Sequence, residues 1–188
     1  MEGIVIDTDL VVLLDDEGTE IGTAPKSSVH GTDTALHLAF SCHVVNDDGD
    51  VLVTRRAMEK LTWPGVWSNS FCGHPRPAEP VLQAVHRRAD FELGLSLTDI
   101  ELALPLFRYR ATDASGIVEH EICPVYIARA SAEPVLNPLE VVDAKWVNPA
   151  DLGAALIATP WAFSPWLVLQ AKQLRLFEAD RLPQRRAS

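Results

Sequence analysis

A chain of 188 residues has room for one domain with a substantial core, and no stretch of it has the composition of a linker, repeat or low-complexity tract. Its 16 Lys and Arg against 26 Asp and Glu give a formal net charge of −10, which argues against nucleic acid as a partner, so an anionic substrate has to be met by local positive charge or by metal. Met1-Glu2 opens acidic, the apolar run at 10–14 is too short for a signal core or a membrane span, and three cysteines without framework spacing fit a reducing cytoplasm, so a cytoplasmic protein with no membrane partner is expected.

Residues 11–14 and 21–23 flank Asp15-Asp16-Glu17-Gly18, a turn signal that predicts a hairpin. A second hairpin is expected where 36–45 and 51–55 flank Asn46-Asp47-Asp48-Gly49. If Cys72-Gly73-His74 is extended, period-two alternation sets the thiol and the imidazole on one face about 6–7 Å apart, close enough to share a cavity. Residues 79–93 carry Leu82, Val85, Ala89 and Leu93 at helical spacing, and Gly94 stops the pattern as a C-terminal cap. Strands are expected at 104–110 and 117–129, and Ser164-Pro165, a capping residue before a proline at the first helical position, opens a last helix over 165–177. Helices and strands mixed in this way predict an α/β or α+β sandwich.

Strand parity sorts the titratable groups. Glu119 and Glu121 face one side about 6.6 Å apart and can share a metal, while His120 points the other way. His37 and His43 share parity on one strand, but six residues span about 20 Å, too far for one ion, so one of them is a bystander. His30 lies in a Ser-Val-His-Gly stretch expected to be a loop, where an isolated imidazole is usually solvated surface. Cys42, in an apolar run, and Cys123, before Pro124, read as core or strand residues.

Counting from Gly73, Glu79 follows after five residues and Arg87 after seven more, with Glu92, Gly94 and Leu95 beyond. This resembles the Nudix box, whose helix carries glutamates that hold divalent cations against a diphosphate. Arg87-Arg88 stands where the box has Arg-Glu, and Phe91-Glu92 where it has Glu-Glu, so the platform has fewer carboxylates and should be poorer at hydrolysis. The same departures, together with Cys72-Gly73-His74, resemble type I isopentenyl diphosphate isomerase. That resemblance runs in order through Thr32-Asp33-Thr34, Leu36-His37-Leu38-Ala39-Phe40-Ser41, Val53-Thr54-Arg55-Arg56-Ala57 and Trp63-Pro64-Gly65-Val66-Trp67-Ser68-Asn69-Ser70. It continues through Phe107-Arg108-Tyr109-Arg110-Ala111, Gly116-Ile117-Val118-Glu119-His120-Glu121 and Thr159-Pro160-Trp161-Ala162-Phe163-Ser164-Pro165-Trp166.

The resemblance implies one domain over residues 1–188, a Nudix-type sandwich with a mixed sheet between helices. It implies His30, His37, His74, Glu119 and Glu121 as ligands of one ion, and three imidazoles beside two carboxylates suit Mn²⁺, with Mg²⁺ or Zn²⁺ depending on supply. Glu92 would help hold a second Mg²⁺ on the substrate diphosphate; the plainer alternative is an i, i+4 pair with Arg88 on a solvated helix face. Cys72 and Glu121 fall at the two acid/base positions, Tyr109 at one that supports Glu121 by hydrogen bond, and Trp166 at one whose indole face meets a carbocation-like species. Trp67, Trp161 and Phe40 are further candidate walls, and Lys26, Arg56, Lys60 and Arg88 match or approach diphosphate-binding positions. The implied reaction converts isopentenyl diphosphate to dimethylallyl diphosphate in isoprenoid biosynthesis, by a monomer or homodimer. A Nudix diphosphohydrolase explains the box but leaves Cys72, His74 and the segment around Trp166 without a role. A noncatalytic prenyl-diphosphate-binding module has no use for two intact acid/base positions.

Overall fold

The computed structural model describes residues 9–177, so the acidic start at Met1-Glu2 lies outside the described residues. The first half runs β1 (Leu10–Leu14), β2 (Glu20–Pro25), a single turn α1 (Lys26–Val29), β3 (His37–Leu38), β4 (Phe40–Val45), β5 (Val51–Arg56), β6 (Trp67–Ser68) and β7 (Phe71–Gly73). The second half runs α2 (Val81–Leu93), β8 (Thr98–Leu104), β9 (Arg108–Thr112), β10 (Val118–Ile122), β11 (Val125–Arg129), β12 (Val141–Val147), α3 (Pro149–Ala158) and α4 (Pro165–Ala171). Short 3₁₀ turns at Pro160–Ala162 and Arg175–Phe177 flank α4.

Two mixed sheets result. One has five strands in the order β2-β1-β3-β10-β9; the other has seven, ordered β12-β5-β4-β11-β8 with β6 on β5 and β7 on β4. The long strands expected at 36–45 and 117–129 each break in two, at Ala39 and at Cys123-Pro124. Those breaks lie side by side, because β10 pairs with β3 and β11 with β4, both parallel. The two chain segments therefore leave the smaller sheet together and enter the larger one together. Pro124 has no N–H for a ladder, which favours a break there, and its carbonyl instead accepts from the amide of Ser41 at 3.1 Å. The strand expected at 104–110 is likewise the end of β8 and the start of β9.

Burial follows from helices on both faces of the larger sheet. All six positions of β4 are buried, as in a strand covered on both sides. Phe40, Cys42 and Val44 pack with Ala84, Val85, Ala89 and Leu93 of α2, whereas Val45, Val51 and Val53 pack with Leu152, Leu156 and Leu167 of α3 and α4. The helix α2 starts two residues later than expected, because Glu79 stays in the preceding turn, where it accepts from the Arg76 amide at 2.8 Å. Leu82 is exposed and does not belong to the buried stripe. Gly94 ends the helix in the left-handed region at φ +60°, as its C-terminal position suggested. The last helix is shorter than expected, and the Ser164 hydroxyl bonds to Ser68 Oγ at 2.9 Å instead of capping it.

Candidate active site

A cavity of about 570 Å³ opens beside the junction of the two sheets. β3 and β10 bring His37, Glu119 and Glu121 to it from the smaller sheet, β7 brings Cys72, and the chain just beyond β7 brings His74. His30 follows α1, and the loop after β5 contributes Lys60 and Thr62. Of the residues predicted for the site, all line this cavity except His37, Glu92 and the further candidate walls Phe40, Trp67 and Trp161.

His37 is fully buried directly beneath the cavity, and the three histidine rings meet as a triangle with centroids 5.0, 5.1 and 5.7 Å apart. His30, His37, His74 and Glu121 each offer one ligand atom within 4.8 Å of the others. The parallel register sets Glu121 beside His37, and Glu121 Oε1 lies 3.1 Å from His74 Nε2 and 3.6 Å from His37 Nε2. His37 Nδ1–H donates to the Ala35 carbonyl at 2.9 Å, which leaves Nε2 as a bare lone pair, the arrangement a metal-binding imidazole needs. Glu119 Oε1 accepts from Thr62 Oγ1 at 2.6 Å, and its Oε2 lies 2.9 Å from His30 Nε2 without the alignment of a hydrogen bond. His30 Nε2, His37 Nε2, His74 Nδ1 and Glu119 Oε2 are all buried without a hydrogen-bond partner. Each such atom costs about 1–3 kcal/mol unless something meets it, and a cation in the cluster is what this donor set fits.

Electrostatics agree with that grouping. Burial alone would raise the Glu121 carboxyl, but the neighbouring His37 and His74 imidazoles hold it well below the usual carboxylate range. Burial would lower His37, yet Glu121 outweighs it and the imidazole is raised; at His74 burial prevails and the imidazole is lowered. His43 is the bystander of the histidine pair. It sits in the core, with Nε2 2.9 Å from Gln170 Oε1, and burial pushes it down to about 4. His120 points away from the cluster, as its parity required, toward the Thr34 carbonyl at 3.2 Å.

Cys72 faces the same cavity, with Sγ 3.2 Å from Ser41 Oγ and 3.3 Å from Asn69 Oδ1, and burial pushes the thiol up to about 12. Tyr109 is the cross-strand partner of Glu121 but, contrary to expectation, no hydrogen bond joins them among the described residues. The Tyr109 side chain packs instead against Trp166 at 5.9 Å between centroids. Trp166 is buried and donates from Nε1 to Asn69 Oδ1 at 2.9 Å, with the Arg56 guanidinium over its ring at 5.2 Å. The other expected aromatic walls stand elsewhere. Trp161 is 82 % exposed, Phe40 packs under α2, and Trp67 packs toward α3 and α4; Trp63 meets Trp166 edge-on at 5.4 Å in their place.

The basic residues are all present, each held by a partner. Lys26 pairs with Asp9 at 3.3 Å, Lys60 with Glu140, and Arg56 donates to the Thr62 carbonyl at 2.8 Å and the Trp63 carbonyl at 3.2 Å. Arg88 is buried between Glu92, at 2.9 Å from Nε, and Glu140, at 3.1 Å from Nη2. Glu92 thus makes the i, i+4 pair with Arg88, but buried rather than solvated, and it lines a small adjoining cavity with Arg56, Lys60, Cys72 and Glu140. Thr62, Glu140, Ser41 and Asn69 were not read as site residues. Asn69 alone carried a signal, as an amide set between two serines beside Phe71-Cys72.

The model of the NUDIX domain matches residues 35–167. Among solved structures, a Deinococcus radiodurans protein superposes with a TM-score of 0.68 at 20 % identity, over 87 % of this chain and 98 % of its own. A MutT NUDIX hydrolase from Burkholderia pseudomallei does so with 0.56 at 26 % identity, over 74 % and 98 %. These likenesses show the fold. At the level of sequence, the isopentenyl-diphosphate Delta-isomerase of Agromyces mediolanus is 71 % identical over 88 % of this chain and 81 % of its own length. That of Paenarthrobacter aurescens is 61 % identical over 94 % and 95 %. The chain belongs to the NUDIX family and, within it, to the isopentenyl-diphosphate Delta-isomerases.

Proposed function

We propose that this chain converts isopentenyl diphosphate to dimethylallyl diphosphate by a 1,3-allylic proton shift, with Cys72 and Glu121 as the two acid/base groups. The observation that carries the reading is that Cys72 and Glu121 line one cavity with Lys26, Arg56, Lys60 and Arg88. Adding a proton to an unactivated alkene and removing another from the neighbouring methylene requires two such groups against the carbon chain, and an anionic handle requires positive charge at the same cavity. Trp166 and Tyr109 wall off the reacting end, where an indole face stabilises developing positive charge by about 2 kcal/mol when water is excluded.

His30, His37, His74, Glu119 and Glu121 would hold one divalent ion, Mn²⁺, Mg²⁺ or Zn²⁺, and Glu92 would help hold Mg²⁺ on the diphosphate. Such ions supply Lewis-acid positive charge. The protein's own part is to orient the diphosphate with its basic residues, to exclude water with its aromatic ones, and to hold protons at Cys72 Sγ and the Glu121 carboxylate. Three cysteines outside any disulfide fit action in the cytoplasm, and we read the chain as one domain, monomeric or homodimeric, in isoprenoid biosynthesis. Proton and phosphorus NMR of isopentenyl diphosphate incubated with the protein and Mg²⁺ tests this. Dimethylallyl diphosphate with both phosphates retained is expected, and release of phosphate in its place would make the chain a diphosphohydrolase.

A further inference from the structure

Ser41, His43, Asn69 and Gln170 are polar side chains at most 1 % exposed, and none belongs to the histidine cluster or to the basic wall. Buried polar groups persist where their bonds are met, and here the bonds converge on Cys72. Asn69 Nδ2 donates to the carbonyls of Cys42 at 3.0 Å and Phe71 at 2.7 Å, which fixes the amide with its oxygen turned the other way. That one oxygen accepts from Ser68 Oγ at 2.9 Å, from Trp166 Nε1 at 2.9 Å and from the Cys72 thiol at 3.3 Å. A thiol from β7 and an indole from α4 are thereby referred to a single atom.

A second set of bonds reaches the sulfur from another side. His43 Nδ1 is buried without a partner, and a bare lone pair is left so at less cost than an N–H, so the ring carries its proton on Nε2 and donates to Gln170 Oε1 at 2.9 Å. Gln170 Nε2 then donates to Ser41 Oγ at 2.8 Å. Having accepted that bond, the Ser41 hydroxyl has its own proton to give, and its sulfur neighbours are Cys72 Sγ at 3.2 Å and Cys123 Sγ at 3.4 Å. Every donor in the chain from His43 points toward sulfur.

We propose that Asn69 and Ser41 are positioning residues for proton transfer at Cys72, Asn69 accepting from the thiol and tying it to Trp166, and Ser41, oriented by Gln170 and His43, donating to the sulfur and fixing its rotamer. The proposal rests on the reading of Cys72 as an acid/base group. Neither positioning residue gains or loses a proton in this role. It also gives His43, which is too far away to join the ion site, a reason to be buried where it is.

The test is steady-state kinetics with isopentenyl diphosphate on Ser41→Ala and Asn69→Ala, each alone and combined with Cys72→Ala, with thermal melting alongside. Each single variant should lower kcat about 10- to 100-fold, the effect of an ångström-scale misplacement, with KM within about twofold. Neither should lower the residual rate of Cys72→Ala further, since both act through the sulfur. Asn69→Ala should also shift the Trp166 indole N–H resonance, which Ser41→Ala should leave in place. Asn69 holds two backbone carbonyls, so if its variant does not fold, Ser41→Ala, which removes one hydroxyl, decides. Wild-type kcat in folded Ser41→Ala while Cys72→Ala is inactive, or a further loss in the Cys72→Ala background, would overturn the proposal. Wild-type turnover in Cys72→Ala would instead overturn the acid/base reading beneath it.

Discussion

His43 shows what burial does to a single side chain. With its pKa pushed down to about 4, it stays neutral in the folded protein while the unfolded chain takes up a proton near the ordinary value of about 6.5. As pH falls through that window the unfolded state binds the extra proton, so folding stability drops by up to about 3 kcal/mol. Urea unfolding of wild type and His43→Asn at pH 7 and at pH 4 should show the wild type losing about that much more than the variant; equal losses would contradict the assignment. At this scale parity reasoning served well wherever a residue's role depends on which face of a strand it takes, as for Glu119, Glu121 and His120. It says nothing of what lies across the cavity. No hydrogen bond joins Tyr109 to Glu121 among the described residues, Glu92 is buried in a pair with Arg88, which also meets Glu140, and the face of Trp166 is shared with Arg56. Apart from the i, i+4 spacing of Arg88 and Glu92, none of those contacts has a signature in local sequence.

Among the elements, β7 and α2 approach most closely at Gly73. A β-carbon there would lie 2.7 Å from Arg88 Cγ and 2.9 Å from Phe40 Cζ, so the glycine sets how near the basic helix comes to the strand that carries Cys72. Gly73→Ala should lower unfolding stability by about 1–3 kcal/mol, the usual effect of overpacking, and should raise KM for isopentenyl diphosphate by displacing Arg88. Denaturant melts and kinetics on the same variant check both; unchanged stability with unchanged KM would mean that the contact is slack. Turn signals and the Gly94 cap made the two hairpins and most of α2 legible. The break at Cys123-Pro124 has a signal in Pro124, which cannot donate to a ladder, but the one at Ala39 has none, because apolar residues continue on both sides and only the pairing of two distant segments reveals that they change sheets together. α3 carries in Asn148-Pro149 the same signal as α4, a capping residue before a proline, and there the cap is made, with Asn148 Oδ1 accepting from the Ala150 amide at 2.9 Å.

For the whole molecule, a net charge of −10 has to coexist with a cavity that takes up an anion. Basic groups and a histidine-carboxylate cluster line the same cavity, so bound metal should matter for both fold and activity. Metal analysis should find about one tightly held divalent ion per chain, much less in His74→Ala and Glu119→Gln, and loss of turnover on chelation. Full metal content in those variants would contradict the proposed five-ligand site. The central claim is that the diphosphate serves as a handle while protons move at Cys72 and Glu121, and labelling in deuterated water addresses it most directly. Isopentenyl diphosphate incubated with the protein and Mg²⁺ should yield dimethylallyl diphosphate carrying deuterium in a methyl group, and Glu121→Gln, which keeps the shape but loses the proton-accepting charge, should yield none. Phosphate release without methyl deuteration, or undiminished deuteration by Glu121→Gln, would contradict the account.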